Sequence, residues 1–370
     1  MGFSSSNLLR PQRLHRLLAS TRRTGSQRKR LSTIGIGAVA LASLTFQWGF
    51  TALVFLHHSH KEAGKSPSLL PLNKPQFSSM GKIAYGTRGG GEQTAELIRD
   101  AILNGFRHIA TSSHHINHNE TGVGMGWKKA VQENPSIHRS DLFLQTMFVP
   151  WDGNDFQKQP ADHQSVDPSL RSPPSIADQV KLTIEQSLQN LQTTYIDAVL
   201  YHNFRANHHP HENMIQAWRV LEDYVHRGVI RQLGITNCHN VEYLTKLYNE
   251  ATVKPAIVQN RFHSNRGFDV ALRPVFQHFR VQVQRFWILT GNGGGIKQNA
   301  DMAQRKGLTS EQLMLAFVMS LGDTALVGTH NVHHMKDDLE VAKKHEDMLE
   351  DWERKEFAKN IGMSALMHNA

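Results

Sequence analysis

YIDAVLYHN (195–203) and GVIRQLGITN (228–237), with the helix-periodic stretch between them, decide the fold. Ile196–Tyr201 is a short apolar run that ends on polar His202, the pattern of a buried strand reaching a site edge. Met214–Arg227 then carries apolar residues at the 3.6-residue period of a helix. Ile230–Ile235 repeats the strand pattern and ends on Thr236 and Asn237.

The same alternation extends outward. Strands are predicted at Lys82–Tyr85, His108–Thr111, Leu142–Phe148, Ala256–Gln259, Val281–Ile288 and Ala325–Val327. Helices are predicted at Thr94–Leu103, Ile176–Leu191, Val241–Ala251 and Glu311–Leu321, capped by Ser175 with Asp178 and by Ser310 near Glu311. Eight strands, each followed by a helix, is the count of a (β/α)8 TIM barrel, whose functional residues sit where the strands end. A doubly wound sheet is the rival, but no Gly-x-Gly-x-x-Gly follows the first strand, and Gly89-Gly90-Gly91 reads as a turn.

Charge separates this barrel from what precedes it. The 370 residues hold 41 Lys/Arg and 32 Asp/Glu, a formal charge of +9. Ten Lys/Arg and one acid, Glu62, precede residue 66, which leaves 31 of each sign for the remainder. The folded part has no basic excess, which argues against nucleic acid as a partner. The one cysteine, Cys238, excludes an intrachain disulfide, and with it any zinc site built on four cysteines or on two cysteines and two histidines.

Segment 1–33 is basic and reads as a cytosolic or targeting segment. Ile34–Leu56 is uncharged and, at about 1.5 Å per residue, long enough for a single transmembrane helix that makes the lipid bilayer a partner. Eight basic residues precede the span, which keeps the N-terminus on the cytosolic or matrix side. The Arg- and Ser-rich start suits a mitochondrial presequence, and a secretory-pathway anchor fits as well. Residues 57–80, with His57, His58, His60 and several prolines, read as a solvated linker, 81–345 as the barrel and 346–370 as a C-terminal tail.

At the strand ends the chain resembles the aldo-keto reductases, and within them a fungal-type group of NADP-dependent oxidoreductases. The matching stretches include AYGT (84–87), GFRHIATSSHHINHNETGVG (105–124), LFLQTMF (142–148), VKPAIVQNRFH (253–263), FWILTGN (286–292) and ALVGTHNVHHMKDDL (325–339), besides the two quoted first. The resemblance implies NADP as cofactor and a small carbonyl substrate. It also implies a catalytic Asp, Tyr, Lys and His, and three of those positions differ: Ala110, His118 and Met147 stand for Asp, Tyr and Lys, while His202 is kept. Without the lysine a buried aspartate lacks its partner, so the changes are mutually consistent. His118 reads as a substitute acid, as a metal ligand with His114, His115 and His202, or as a solvated or packing residue. No metal is assigned.

The nucleotide side matches more fully. The resemblance assigns Asn237 and Gln259 to the nicotinamide carboxamide, with Thr236 in the neighbouring hydroxyl position, and Phe286 to stacking on its ring. It assigns Thr290, Gly291 and Asn292 to the pyrophosphate loop, and Gly328, Thr329, His334 and Asp338 to the adenosine phosphate. Cys238 reads as an inert small residue, and Asn207–His211 and Pro150–Pro174 as surface loops. The resulting expectation is a membrane-anchored barrel that binds NADP(H) with weakened or lost carbonyl reduction, a pseudoenzyme acting as sensor or scaffold. The alternatives are an active reductase using His118 or His202 as proton donor, and an interaction barrel without nucleotide.

Overall fold

The computed structural model describes residues 81–151, 174–202 and 211–363. Eight parallel strands close into a barrel in chain order. They are β1 (Ile83–Gly86), β2 (His108–Ala110), β3 (Phe143–Phe148), β4 (Ile196–His202), β5 (Ile230–Thr236), β6 (Ile257–Arg261), β7 (Gln282–Phe286) and β8 (Thr324–Val327). All eight lie where the apolar runs place them; several ends differ by one residue and two by two residues. β7 stops at Phe286 because Trp287 takes a left-handed φ of 63°, which breaks the extended backbone. β6 continues to Arg261, since its ladder with β7 pairs Arg261 with Phe286 beyond the apolar run.

Around the barrel run α1 (Thr94–Asn104), α2 (Glu120–Glu133), α3 (Ile176–Asn190), α4 (His211–His226), α5 (Val241–Glu250) and α6 (Arg273–Phe279). α7 (Gly293–Gln298), α8 (Ala300–Arg305), α9 (Ser310–Ser320), α10 (Val332–Met348) and α11 (Asp351–Asn360) complete them. Ser175 caps α3 as expected, accepting from the Asp178 N–H at 3.2 Å. The cap of α9 is Thr309 rather than Ser310. Its hydroxyl accepts from the Gln312 N–H, and the Gln312 side chain accepts from the Thr309 N–H in return. Ser310 is already inside the helix.

Apolar burial falls in two layers. The larger lies between barrel and helices and includes Phe106, Val199, Tyr201, Trp218, Leu233 and Phe317. The smaller, Phe143, Ala198, Leu200 and Ile257, fills the barrel interior, with Met147 against it. A Cβ on Gly234 would come within 2.6 Å of the Ile257 carbonyl oxygen in that interior, so only glycine fits there. The layer above is polar. Gln145 and Gln284 exchange side-chain hydrogen bonds of 2.9 and 2.8 Å across the barrel, and Gln259 donates to Gln284 at 2.9 Å.

The boundary expected at residue 345 does not hold, because α10 runs through it and α11 packs onto the barrel. Phe357 is buried and stacks on Phe317 with ring centroids 4.3 Å apart, and Ile361 and Met363 are buried beyond it. Among the described residues no helix is long and apolar enough to cross a membrane. Segments 1–33, 34–56 and 57–80 lie outside them, as do 203–210 and most of the 150–174 stretch.

Candidate functional site

Alternation along each strand sends every second side chain inward, and the last inward residue of each strand faces one open end. A cavity of about 1550 Å³ occupies that end. Ala110, Met147 and His202 line it from the ends of β2, β3 and β4, and His118 joins them from the loop before α2. Thr236, Asn237, Gln259, Phe286 and Thr290 line it from β5 to the loop after β7. Gly328, Thr329, His334 and Asp338 line it at the start of α10.

Gly291 and Asn292, assigned by the resemblance to the pyrophosphate loop, are not among the residues that line the cavity. Asn292 is buried, and its amide donates to the Phe262 and Ile288 carbonyls at 2.7 and 2.8 Å. Gly291 donates its N–H to the Trp287 carbonyl at 3.0 Å, where a Cβ would lie within 2.8 Å of that oxygen. Both residues fix the turn that the left-handed Trp287 begins.

The two histidines at the floor are held neutral. Burial, helped by the nearby charges of His114, Arg88 and His202, lowers His118 to about 4. Burial, then His114, lowers His202 to about 4 as well. The Thr87 hydroxyl donates to Thr111 at 2.8 Å and lies 3.1 Å from His118 Nδ1. Asn237 adopts φ 58°, and its amide nitrogen lies 3.3 Å from His202 Nε2, which therefore accepts. Near neutrality both rings are uncharged, and His202 does not offer Nε2 as a proton donor.

Other groups are set by burial. Asp338 is pushed up to about 7 by burial and by Asp337. Cys238 is buried and pushed up to about 12, chiefly by burial, and its backbone N–H donates to Asn260 Oδ1 at 2.8 Å, so its thiol is no nucleophile. Among the described residues no group of three His, Cys, Asp or Glu is arranged to hold a metal ion.

Three arginines on the same wall were missed by the sequence reading: Arg88, Arg261 and Arg266. The signal existed for one of them. Gln259 is inward, so a strand carried two residues further points Arg261 inward too.

The Aldo/keto reductase family profile matches residues 80–278. Among curated relatives, the glyoxal reductase of Bacillus subtilis is 29% identical over 174 residues, 47% of this chain and 50% of that protein. Deoxymugineic acid synthase 1 of Oryza sativa is 26% identical over 287 residues, covering 71% of this chain and 81% of that one. The chain thus spans about half the length of the first of these relatives. An aldo/keto reductase structure from Brucella melitensis superposes with a TM-score of 0.60 at 19% identity, over 75% of this chain and 94% of that chain. An aldose reductase structure from Schistosoma japonicum gives 0.59 at 19%, over 75% and 87%. With the family profile spanning more than half of its length, the chain belongs to the aldo/keto reductase family.

Proposed function

We propose that the barrel mouth binds NADP(H) beside a small carbonyl compound, and that carbonyl reduction there is weakened or lost. The protein then acts as a nucleotide sensor or scaffold. The observation that carries this reading is the contrast between two parts of one wall. Thr236, Asn237, Gln259 and Phe286 stand together. Gln259 uses an amide N–H on Gln284, which leaves its carbonyl oxygen to accept from a carboxamide beside an aromatic face. That set suits a nicotinamide. NADPH would supply the hydride, and the chain must supply a proton to the carbonyl oxygen. Ala110 and Met147 hold none, and His118 and His202 lose theirs above about pH 4.

An NADPH titration of the full chain, followed by tryptophan emission, is the first test. Micromolar binding supports the reading; no binding at millimolar nucleotide sinks it in favour of a barrel that serves only as an interaction domain. The triple change Ala110→Asp, His118→Tyr, Met147→Lys should then raise reduction of an aldehyde such as nitrobenzaldehyde by about 10²-fold or more.

The active-reductase reading is supported by the names of the relatives, glyoxal reductase and methylglyoxal reductase among them. It makes His118 or His202 the proton donor, so turnover should climb as pH falls from 7 towards about 4, whereas a pseudoenzyme stays flat.

Ile34–Leu56 is read as the anchor, in either the secretory pathway or the mitochondrial inner membrane, with the barrel on the side away from the basic N-terminus. Full-length protein should resist carbonate extraction, and loss of residues 34–56 should release it.

A further inference from the structure

The cavity wall carries Arg88, Lys246, Arg261 and Arg266 against two carboxylates, Glu242 and Asp338. Lys246 has a partner, Glu250, at 3.9 Å. Among the described residues none of the three arginines makes an ion pair or a side-chain hydrogen bond. Arg261 is held most firmly. Its guanidinium lies over the Trp287 ring at 3.8 Å from the centroid and 5.7 Å from that of Phe286, and its Nε is buried without a partner. A guanidinium stacked on a ring keeps its N–H groups in plane and open to a planar oxyacid. Burial, then the charges of Arg266 and Arg88, lowers its affinity for its own proton, as expected of like charges gathered on one mouth.

The positions of these cations narrow what they hold. Arg88 follows Thr87, whose hydroxyl meets His118 at the floor. Arg261 follows Gln259 by two residues on β6, three strands away around the barrel from β1. Arg88 and Arg261 therefore reach one cavity from different strands, and the charges of Arg266 and Arg88 act on Arg261 there. The stretch Gly328–Asp338, by contrast, places Thr329, His334 and Asp338 on the wall and no Lys or Arg.

We infer that Arg88, Arg261 and Arg266 form an anion subsite, and that the carbonyl compound taken by this mouth carries a carboxylate or phosphate at the end away from its carbonyl. This rests on the reading of the mouth as a carbonyl site but not on nucleotide binding. Each cation left open for a ligand gains a charge-assisted hydrogen bond when an oxyacid enters, and a neutral aldehyde of the same shape gains none.

The test titrates the full-length protein with 4-carboxybenzaldehyde and with benzaldehyde by calorimetry, with and without saturating NADPH. The carboxylated probe should bind about tenfold tighter or more, and the margin should shrink in high salt. Arg88→Gln and Arg266→Gln alter exposed side chains and leave the fold intact. Together with Arg261→Gln they should erase the margin, and Arg88→Lys should keep part of it. Equal binding of the two probes overturns the inference, as does a margin that survives the three substitutions. If the substitutions instead weaken NADPH about tenfold and leave the margin unchanged, the cations serve a nucleotide diphosphate and the substrate assignment falls. A margin that depends on the arginines in a protein that ignores NADPH upholds the subsite and removes the nucleotide reading.

Discussion

Arg285 and Arg261 sit on neighbouring strands one register step apart, and the chain treats them in opposite ways. Arg285 points outward between barrel and helices and is fully buried. Asp269 meets its Nη1 at 2.5 Å and Asp323 its Nε at 2.8 Å, while Asp323 also takes Arg273 at 2.9 Å. Arg261 points into the mouth and meets no carboxylate among the described residues. A cation that belongs to the fold is neutralised by the chain itself, because a buried charge without a partner costs several kcal/mol. A cation left open where water and ligands reach it is tolerated, and it marks where an anion is received.

The sharpest way to break this contrast is to remove a partner of Arg285. Asp269 also accepts from His239 at 2.7 Å and from Asn260 at 2.7 Å, so Asp269→Asn unsettles three partners at once. Urea denaturation should show a loss of about 3–5 kcal/mol. A loss below about 1 kcal/mol would mean that Arg285 is not held by its carboxylates.

Acid offers a second probe, aimed at the floor of the mouth. His118 and His202 titrate at about 4 when folded, against 6.5 when free. The unfolded chain therefore binds more protons between those values. Stability from these two rings is fully present above pH 6.5 and is lost as pH falls to about 4, at up to about 1.4 kcal/mol per pH unit for each ring. Asp338 acts oppositely. Raised from 3.8 to about 7, it favours the folded state at low pH and loses that contribution as pH rises through 7. The difference between natural protein and a His118→Gln, His202→Gln variant removes Asp338 from the comparison. That difference should slope between pH 4 and 6.5, and a flat difference would show that the rings are not held neutral.

The sequence makes one side of this molecule plain and leaves the other obscure. Strand positions are legible because a strand covered on both faces must be apolar, and eight such runs are spaced by helices. Ala110, Met147 and His202 are picked out by the family resemblance, at or next to the ends of three such runs. The inward polar ladder is hidden within runs that read as apolar: Gln145 and Gln284 look like interruptions until the barrel closes and brings them together. Arg261 escapes because β6 outlasts its apolar run, pairing by backbone hydrogen bonds that ignore side-chain character. Gly291 and Asn292 match a sequence pattern, and the turn they hold after the left-handed Trp287 is not legible in it.

The smallest effect is the most telling of the three. Arg261→Gln removes a cation from a wall where Arg88 and Arg266 already repel it, while the stacking surface of Trp287 remains for the amide. Loss of the cation–π contact, about 0.5–1 kcal/mol at an exposed site, opposes the relief of that repulsion. The net change in unfolding free energy should stay within about 0.5 kcal/mol, as for substitutions that break no buried pair. A loss approaching that of Asp269→Asn would place Arg261 with Arg285, as a charge the fold depends on. It would also reveal a carboxylate partner and leave the mouth without its most firmly held anchor for an anion.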